Sequence, residues 1–462
     1  MESPYRYKLD PIKTPGYCHV DGLTEESAKV ASLILQSNRT AYHVFTTDFD
    51  IMGAYLHNHI VHHVLTLWAL GADPDTMITH KKNNENYQLL PRKFPDDHIV
   101  EEMDTPEGFT KYVGSQDHFL DFVTFFERKI EKIGYQAVLQ EYMVGGSSLA
   151  DDILGRMYHG YVHSFMYVGQ ALEFKQLPLL AEGLAQAASH DDMYYNEFLF
   201  HVEKKAALQE EPRLSLADCA EECRKDPVIL NCSSIDVHRQ VVSGSWKVEK
   251  EMIRDYVCGR AFDEMAQVCA RYRVDPNDDL ERATAELINA AVWIAASAQR
   301  APYQCHFDFF LIHGSNAAIW QTAMTNEASF TREQKARLIE YTGRTVLMLY
   351  AGMGSPEANI DWLLSQSPKE PGADWNRVLK RGCEHPDDGH MIKLIRVIRH
   401  AQKVSAPYED DADFRMKKHM FLPAAQAAID SGSDKPMSGV LHFDFVRGCA
   451  FPEAWEKYPV RN

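Results

Sequence analysis

The chain has 462 residues, 45% of them apolar, 11% aromatic and 25% charged, which excludes a fibrous or disordered polymer and fits an ordinary globular protein. A formal net charge of −18 excludes a concentrated basic face of the kind that nucleic acid or an anionic membrane requires. Nine cysteines, an odd number scattered from Cys18 to Cys449 without a CxxC pair, exclude a disulfide framework and a zinc knuckle.

In chain order, the start MESPYRYKLDP lacks a basic region followed by an apolar run, and AAVWIAASA at 290–298 is too short to cross a bilayer. The expectation is a soluble cytoplasmic protein with reduced thiols, in which the sequons at Asn38 and Asn231 are fortuitous. Segments with a 3.6-residue period, closed by Gly, Pro, Asn or Asp, predict helices over 53–70, 117–143, 149–173, 178–189, 247–272, 279–299, 307–322, 333–351 and 388–403. Strand-like alternation is confined to short stretches such as Val440 to Phe445. Loop signals cluster at 89–115, 205–245 and 366–387. The pattern predicts an all-α fold, a single large helical domain over 1–462 with a metal site between buried helices and a possible subdivision near 205–245.

Histidines mark four of these helices. YLHNHIVHH (55–63) carries four in nine residues inside an apolar segment, and positions 59, 62, 63 and 66 share one helical face. In LADDILGRMYHGYVHSFMYVGQALEF (149–174), Asp152, Arg156, His159, His163 and Gln170 form a polar stripe. His313 lies in the apolar run HFDFFLIHGSNAAIW (306–320). In DDGHMIKLIRVIRH (387–400), Asp387 or Asp388 is expected to cap a helix that presents His390 and Lys393 at i and i+3. Each histidine alone is read as a hydrogen-bonded core residue. Four such helices together point to a shared metal, because an unpaired buried imidazole costs on the order of 1–3 kcal/mol.

The imidazole supply suits zinc, iron, copper or nickel rather than magnesium or calcium. The chain has no HExxH and no paired ExxH. The HxD triplets His306-Phe307-Asp308 and His442-Phe443-Asp444 belong elsewhere to barrels that this helical pattern does not build. GMGSPE (352–357) and VGGSS (144–148) do not complete GxGxxG, so a Rossmann-bound flavin or nicotinamide has no visible seat.

Four blocks, HNHIVHHVLTLWALGAD (57–73), HSFMYVGQALEF followed by AEGLAQAASH (163–190), DFFLIHGSNAAIW (308–320) and DDGHMIKLIRVIRH (387–400), together resemble the questin oxidase-like family of fungal and bacterial proteins. The blocks come in the family's order and span most of the chain. The resemblance implies a large α-helical enzyme of polyketide pathways, of a kind first labelled Baeyer–Villiger oxidase. It implies an atypical non-haem Fe(II) dioxygenase in which four histidines and one carboxylated lysine hold the metal while an anthraquinone ring is opened.

Carried over by residue, the resemblance implies Lys393, His390, His313, His163 in preference to His159, and His59 with His62 as its competitor. His57 and His63 exceed what the metal needs. A lysine carbamate is an anionic oxygen donor where an ammonium cannot ligate, and burial favours its formation. The implied partners are an aromatic polyketide and dioxygen, with NADPH as an external reductant of the quinone, and His62 and His159 are candidates to move protons. Two other readings stay open. One is an HD-type phosphohydrolase using His163 and His190-Asp191. The other is a helical scaffold with a structural metal.

Overall fold

The computed structural model describes residues 6–47, 56–91, 93–191, 195–239, 251–433 and 444–461. The all-α expectation holds: among these residues β structure is limited to three isolated bridges, Phe45–His57, Tyr303–Val460 and Asp308–Val446. The longer helices are α1 (Glu25–Ala41), α2 (Ile60–Ala69), α3 (Pro74–Glu85), α4 (Phe119–Ile133), α5 (Ser148–Tyr158), α6 (His163–Phe174), α7 (Leu177–Ser189), α8 (Tyr195–Ala207), α9 (Leu216–Lys225), α10 (Gly259–Cys269), α11 (Leu280–Ser297), α12 (Phe309–Ala318), α13 (Arg332–Gly352), α14 (Trp375–Glu384), α15 (His390–Ser405) and α16 (Lys418–Ser431). None of them is long and apolar enough to cross a membrane.

The chain divides into two compact units, and each is described by itself. The first comprises 1–48, 55–197 and 322–335; the second comprises 49–54, 198–321 and 336–462. In the first unit α1 starts on a reciprocal cap, with Ser27 N–H donating to Thr24 Oγ1 at 3.1 Å and Thr24 N–H to Ser27 Oγ at 3.3 Å. Phe122, Phe125 and Phe126 of α4 pack with Phe109 and Tyr142 in an aromatic core. Helices α6 and α7 approach closely because Gly183 has no side chain: a Cβ there would lie 2.9 Å from Tyr167 Cβ. The N-terminal segment is tied to α1 and α7 by Tyr7, whose hydroxyl donates to Glu182 at 2.8 Å, and by Arg39, 3.3 Å from the same carboxylate.

The second unit is organised around α11, whose only charged interior group is Glu286. Asn289 holds this helix to the end of α15, donating to Ser405 Oγ and Met416 O at 2.9 Å and accepting from Met416 N–H at 2.9 Å. Ser315 of α12 donates to Ala291 O at 2.9 Å. Glu286 accepts from Leu216 N–H at 2.8 Å, and desolvation raises its pKa to about 8. A carboxyl whose folded pKa lies above its unfolded value stabilises most when protonated, so stability is lost as pH rises from about 4.5 through about 8. Glu286→Gln keeps the acceptor for Leu216 and should remove this loss: thermal melts of the variant should fall less than wild type between pH 5 and 8.

Several expected helices change at their ends. The predicted 53–70 helix begins only at Ile60, and its stretch 53–55 lies outside the described residues. The predicted 149–173 helix is broken after Tyr158, and 117–143 is interrupted at Gly134. The loop clusters 89–115, 205–245 and 366–387 contain helices, including α9 and α14. The strand expected from Val440 lies almost wholly outside the described residues, as does His442.

Candidate metal-binding centre

In the first unit, the geometry follows from two interruptions of expected helices. Asn58 ends the Phe45–His57 bridge and accepts Ile60 N–H on its Oδ1 at 3.0 Å, so α2 starts two residues later with His59 at its N-cap. Between α5 and α6, Gly160, Tyr161 and Val162 all take positive φ, at 57°, 55° and 69°. For Tyr and β-branched Val this conformation is strained, and such strain persists only where the surroundings over-determine it. The break turns His159 and His163 to different neighbours. They are therefore not the i, i+4 pair that a continuous helix would present.

His163 donates Nδ1–H to Gly160 O at 2.7 Å, which leaves Nε2 as a lone pair, and that atom faces Nε2 of His59 at 2.9 Å with the rings nearly coplanar at 7°. His57 stacks on His163 at 4.1 Å between centroids, and its Nε2 meets Nε2 of His190 at 2.9 Å. His159 Nδ1 lies 3.2 Å from His190 Nδ1 and 3.2 Å from Asp191 Oδ1. Burial, then the neighbouring imidazoles, holds the pKa of His57 and of His190 well below the usual histidine range, so both are neutral. His62 faces Gln170 Oε1 through Nδ1 at 2.8 Å and sets its ring edge-on to Tyr167. His63 lies against His80 and Asn84 instead. The expected shared face of 59, 62 and 63 is thus kept in part: His59, although it precedes the helix, and His62 both stand beside His163, with ring centroids 5.0 and 5.5 Å from it, whereas His63 turns away.

Gly160 is where this arrangement is tightest. A Cβ would sit 2.6 Å from His190 Cε1 and 2.8 Å from His57 Cε1, at a φ that L side chains rarely adopt. Gly160→Ala should cost about 1–3 kcal/mol, read as a lowered denaturant midpoint at unchanged m-value.

In the second unit, α12 and α15 each contribute an oriented imidazole. Asp308 N-caps α12, accepting from Phe310 N–H at 2.8 Å, and its other oxygen accepts from Gly448 and Cys449 N–H at 2.8 and 2.9 Å. That carboxylate is structural, as the discounting of the His306–Asp308 triplet expects. One turn into α12, His313 donates Nδ1–H to Phe309 O at 2.5 Å. Asp387 caps α15 by accepting from Gly389 and Met391 N–H at 2.8 and 2.7 Å, whereas Asp388 instead takes the Nδ1–H of His390. Both rings therefore keep Nε2 as a lone pair, and these two atoms face each other at 3.3 Å. Two lone pairs repel unless a proton or a cation lies between them. Desolvation holds the His390 pKa well below its usual value despite Asp388, which disfavours a proton on that ring. A metal fits: two nitrogens bound at ~2.1 Å in neighbouring octahedral positions lie about 3 Å apart.

Lys393, one turn beyond His390, is 4% exposed, and among the described residues its Nζ has no hydrogen-bond partner. Desolvation lowers its pKa to about 8. A buried, partly neutral amine without an acceptor is suited to carboxylation, which supplies an anionic oxygen donor. The face of Phe309 packs against His313 and His390 at 4.7 and 4.9 Å, with the Arg447 guanidinium 4.0 Å above it. His400 lies deeper in α15 and is 2% exposed, with its pKa lowered to about 3 by burial.

Residues 56–398 match the questin oxidase-like family. The chain belongs to the questin oxidase-like family. It is similar to the oxidoreductase AflY of Aspergillus parasiticus, with 32% identity over 99% of this chain and 94% of that protein. It is also similar to the questin oxidase of Aspergillus fumigatus, 32% identical over 93% of this chain and 94% of its relative, and to the Baeyer–Villiger oxidase ptaJ of Pestalotiopsis fici, 31% identical over 94% of each. The protein is an oxidoreductase, as the resemblance of its four histidine blocks implies. Sequence reasoning missed the support of these imidazoles: the Gly160 carbonyl, the Asp388 carboxylate as partner of His390, and the His57–His190 contact. The DDGH spacing signalled the first turn of α15, whereas the start of α2 at Ile60 went unanticipated and nothing in the string signals a left-handed Val162.

Proposed function

We propose that this questin oxidase-like protein is a non-haem Fe(II)-dependent oxygenase that opens a ring of an anthraquinone-type polyketide to a benzophenone-type product in secondary metabolism. The observation that carries the metal is the facing pair of Nε2 lone pairs on His313 and His390, beside a buried Lys393 amine with no hydrogen-bond partner among the described residues. The ligand set implied by the resemblance is His59, His163, His313, His390 and a carboxylated Lys393. The substrate class follows from the relatives whose names are questin oxidase.

Bound iron would supply the activation of dioxygen. The chain's own residues do the rest. The Gly160 and Phe309 carbonyls and the Asp388 carboxylate fix the tautomers that keep Nε2 basic. His62, held through Nδ1 by Gln170 and edge-on to Tyr167, would exchange a proton at Nε2. The substrate enters as the hydroquinone, reduced beforehand at the expense of external NADPH. Cleaving the bond between a former carbonyl carbon and the adjoining ring then consumes one dioxygen. One oxygen atom enters the new carboxyl group and the other the ring carbon left behind, so electrons balance without a further reductant.

Turnover under labelled dioxygen tests this. Label on both the carboxyl and the new ring hydroxyl is expected, and incorporation from water alone would exclude the reading. The H…HD arrangement of a phosphohydrolase has no such support, since His190 meets His57 and His159 while His163 meets His59.

A further inference from the structure

We propose that His159, His190 and Asp191 form a second metal site, a two-histidine, one-carboxylate set for a divalent first-row transition ion, made of residues that belong to none of the five ligands named above. All three lie in the first unit, at the C-terminal ends of α5 and α7. Their nearest donor atoms lie within 4.8 Å of one another. His159 Nδ1 stands 3.2 Å from both His190 Nδ1 and Asp191 Oδ1. A single N–H at this atom would have to be shared between the two contacts, and both distances sit at the long limit for N–H donation. The same spacing is what donors at ~2.1 Å from one ion show when they subtend about 100°.

The surroundings are those of a built site. His190 is engaged at its other nitrogen by His57 at 2.9 Å, which orients the ring as outer partners of metal-bound imidazoles do. The strained run from Gly160 to Val162 turns His159 into place, and the missing Cβ of Gly160 makes room for the His190 ring. The Arg156 guanidinium, which donates to His190 O at 2.5 Å, is paired with Asp152 at 3.0 Å, so its charge is offset beside the cation. His159 and His190 are buried, whereas the Asp191 side chain is 33% exposed and gives the ion a way in from solvent. Two imidazoles and one carboxylate leave positions open for water or a small ligand, the donor set that suits Fe(II) or Co(II).

The test is anaerobic titration of the full-length, metal-stripped, tag-free chain with Co(II) alone, followed by its visible absorption and by metal analysis after gel filtration. Wild type should hold about two ions per chain, since each preformed donor set binds its own. Asp191→Asn and His159→Gln should each lose one ion while keeping the far-ultraviolet dichroism of wild type, and His313→Ala should lose the other. A wild-type stoichiometry of one ion that His313→Ala abolishes would overturn the proposal and leave the function above standing. Loss of an ion in Asp191→Asn but none in His313→Ala would do the reverse. Should Asp191→Asn fail to fold, undiminished binding by His159→Gln is enough to refute the site.

Discussion

His313→Ala or His390→Ala should cost the protein the one iron of the proposed centre and, with it, the proposed ring cleavage. Removing even an outer partner of a metal ligand typically lowers affinity or activity ~10–100-fold, so removing either ligand should cost at least that. His400→Ala is the control: His400 lies on the same helix as His390 and is equally buried. Its loss should lower stability by about 1–3 kcal/mol with iron content unchanged. Asp388→Asn distinguishes orientation from ligation. The amide can no longer hold Nδ1–H of His390 as a carboxylate does, so iron should bind more weakly yet remain loadable at high concentration. Iron content of anaerobically reconstituted protein measures all four variants, and equal content in His313→Ala and wild type would reject the ligand assignment.

Lys393→Ala should abolish turnover, and a small carboxylic acid in the buffer should restore part of it by placing an oxygen donor in the vacated space. Lys393→Arg should stay inactive, since a guanidinium has no acceptor atom and cannot be carboxylated. The burial of Lys393 sharpens the contrast. An exposed ion pair would be worth ~0–1 kcal/mol and its removal would leave catalysis alone. A buried ammonium without a hydrogen bond is instead destabilising, so Lys393→Met should raise the melting temperature of the metal-free protein while eliminating activity. A fully active Lys393→Ala enzyme would refute the carbamate and leave an all-histidine site.

The loop clusters 89–115 and 205–245 show why some of the fold escaped the sequence. Asp73-Pro74, Thr105-Pro106 and Asp226-Pro227 are all an N-cap residue followed by proline at the first helical position, and in each the cap side chain accepts a backbone N–H of the first turn. Reading proline only as a breaker turned two of these starts, Thr105-Pro106 and Asp226-Pro227, into loops at 89–115 and 205–245. Long apolar helices such as α11 were legible because a fourteen-residue buried face repeats the helical period whatever surrounds it.

The candidate centre was legible as residue types and not as pairings. Histidines in apolar surroundings are costly, and that cost marks the four histidine-bearing helices; the choice of His59, His163, His313 and His390 among their imidazoles comes from the family resemblance. Which nitrogen faces which partner depends on three consecutive left-handed residues after His159 and on a carboxylate two residues before His390, and neither follows from periodicity. His159 and His163 share a helical face in the string and have different partners in the fold.

Oxygen uptake by the tag-free protein, measured with a hydroxyanthraquinone and a chemical reductant before iron removal, after it and after reloading, tests the oxygenase reading most directly. The account predicts one dioxygen consumed per ring opened, uptake that ceases in the stripped protein, and recovery with Fe(II) and not with added flavin. Undiminished uptake and ring opening by the stripped protein would contradict it.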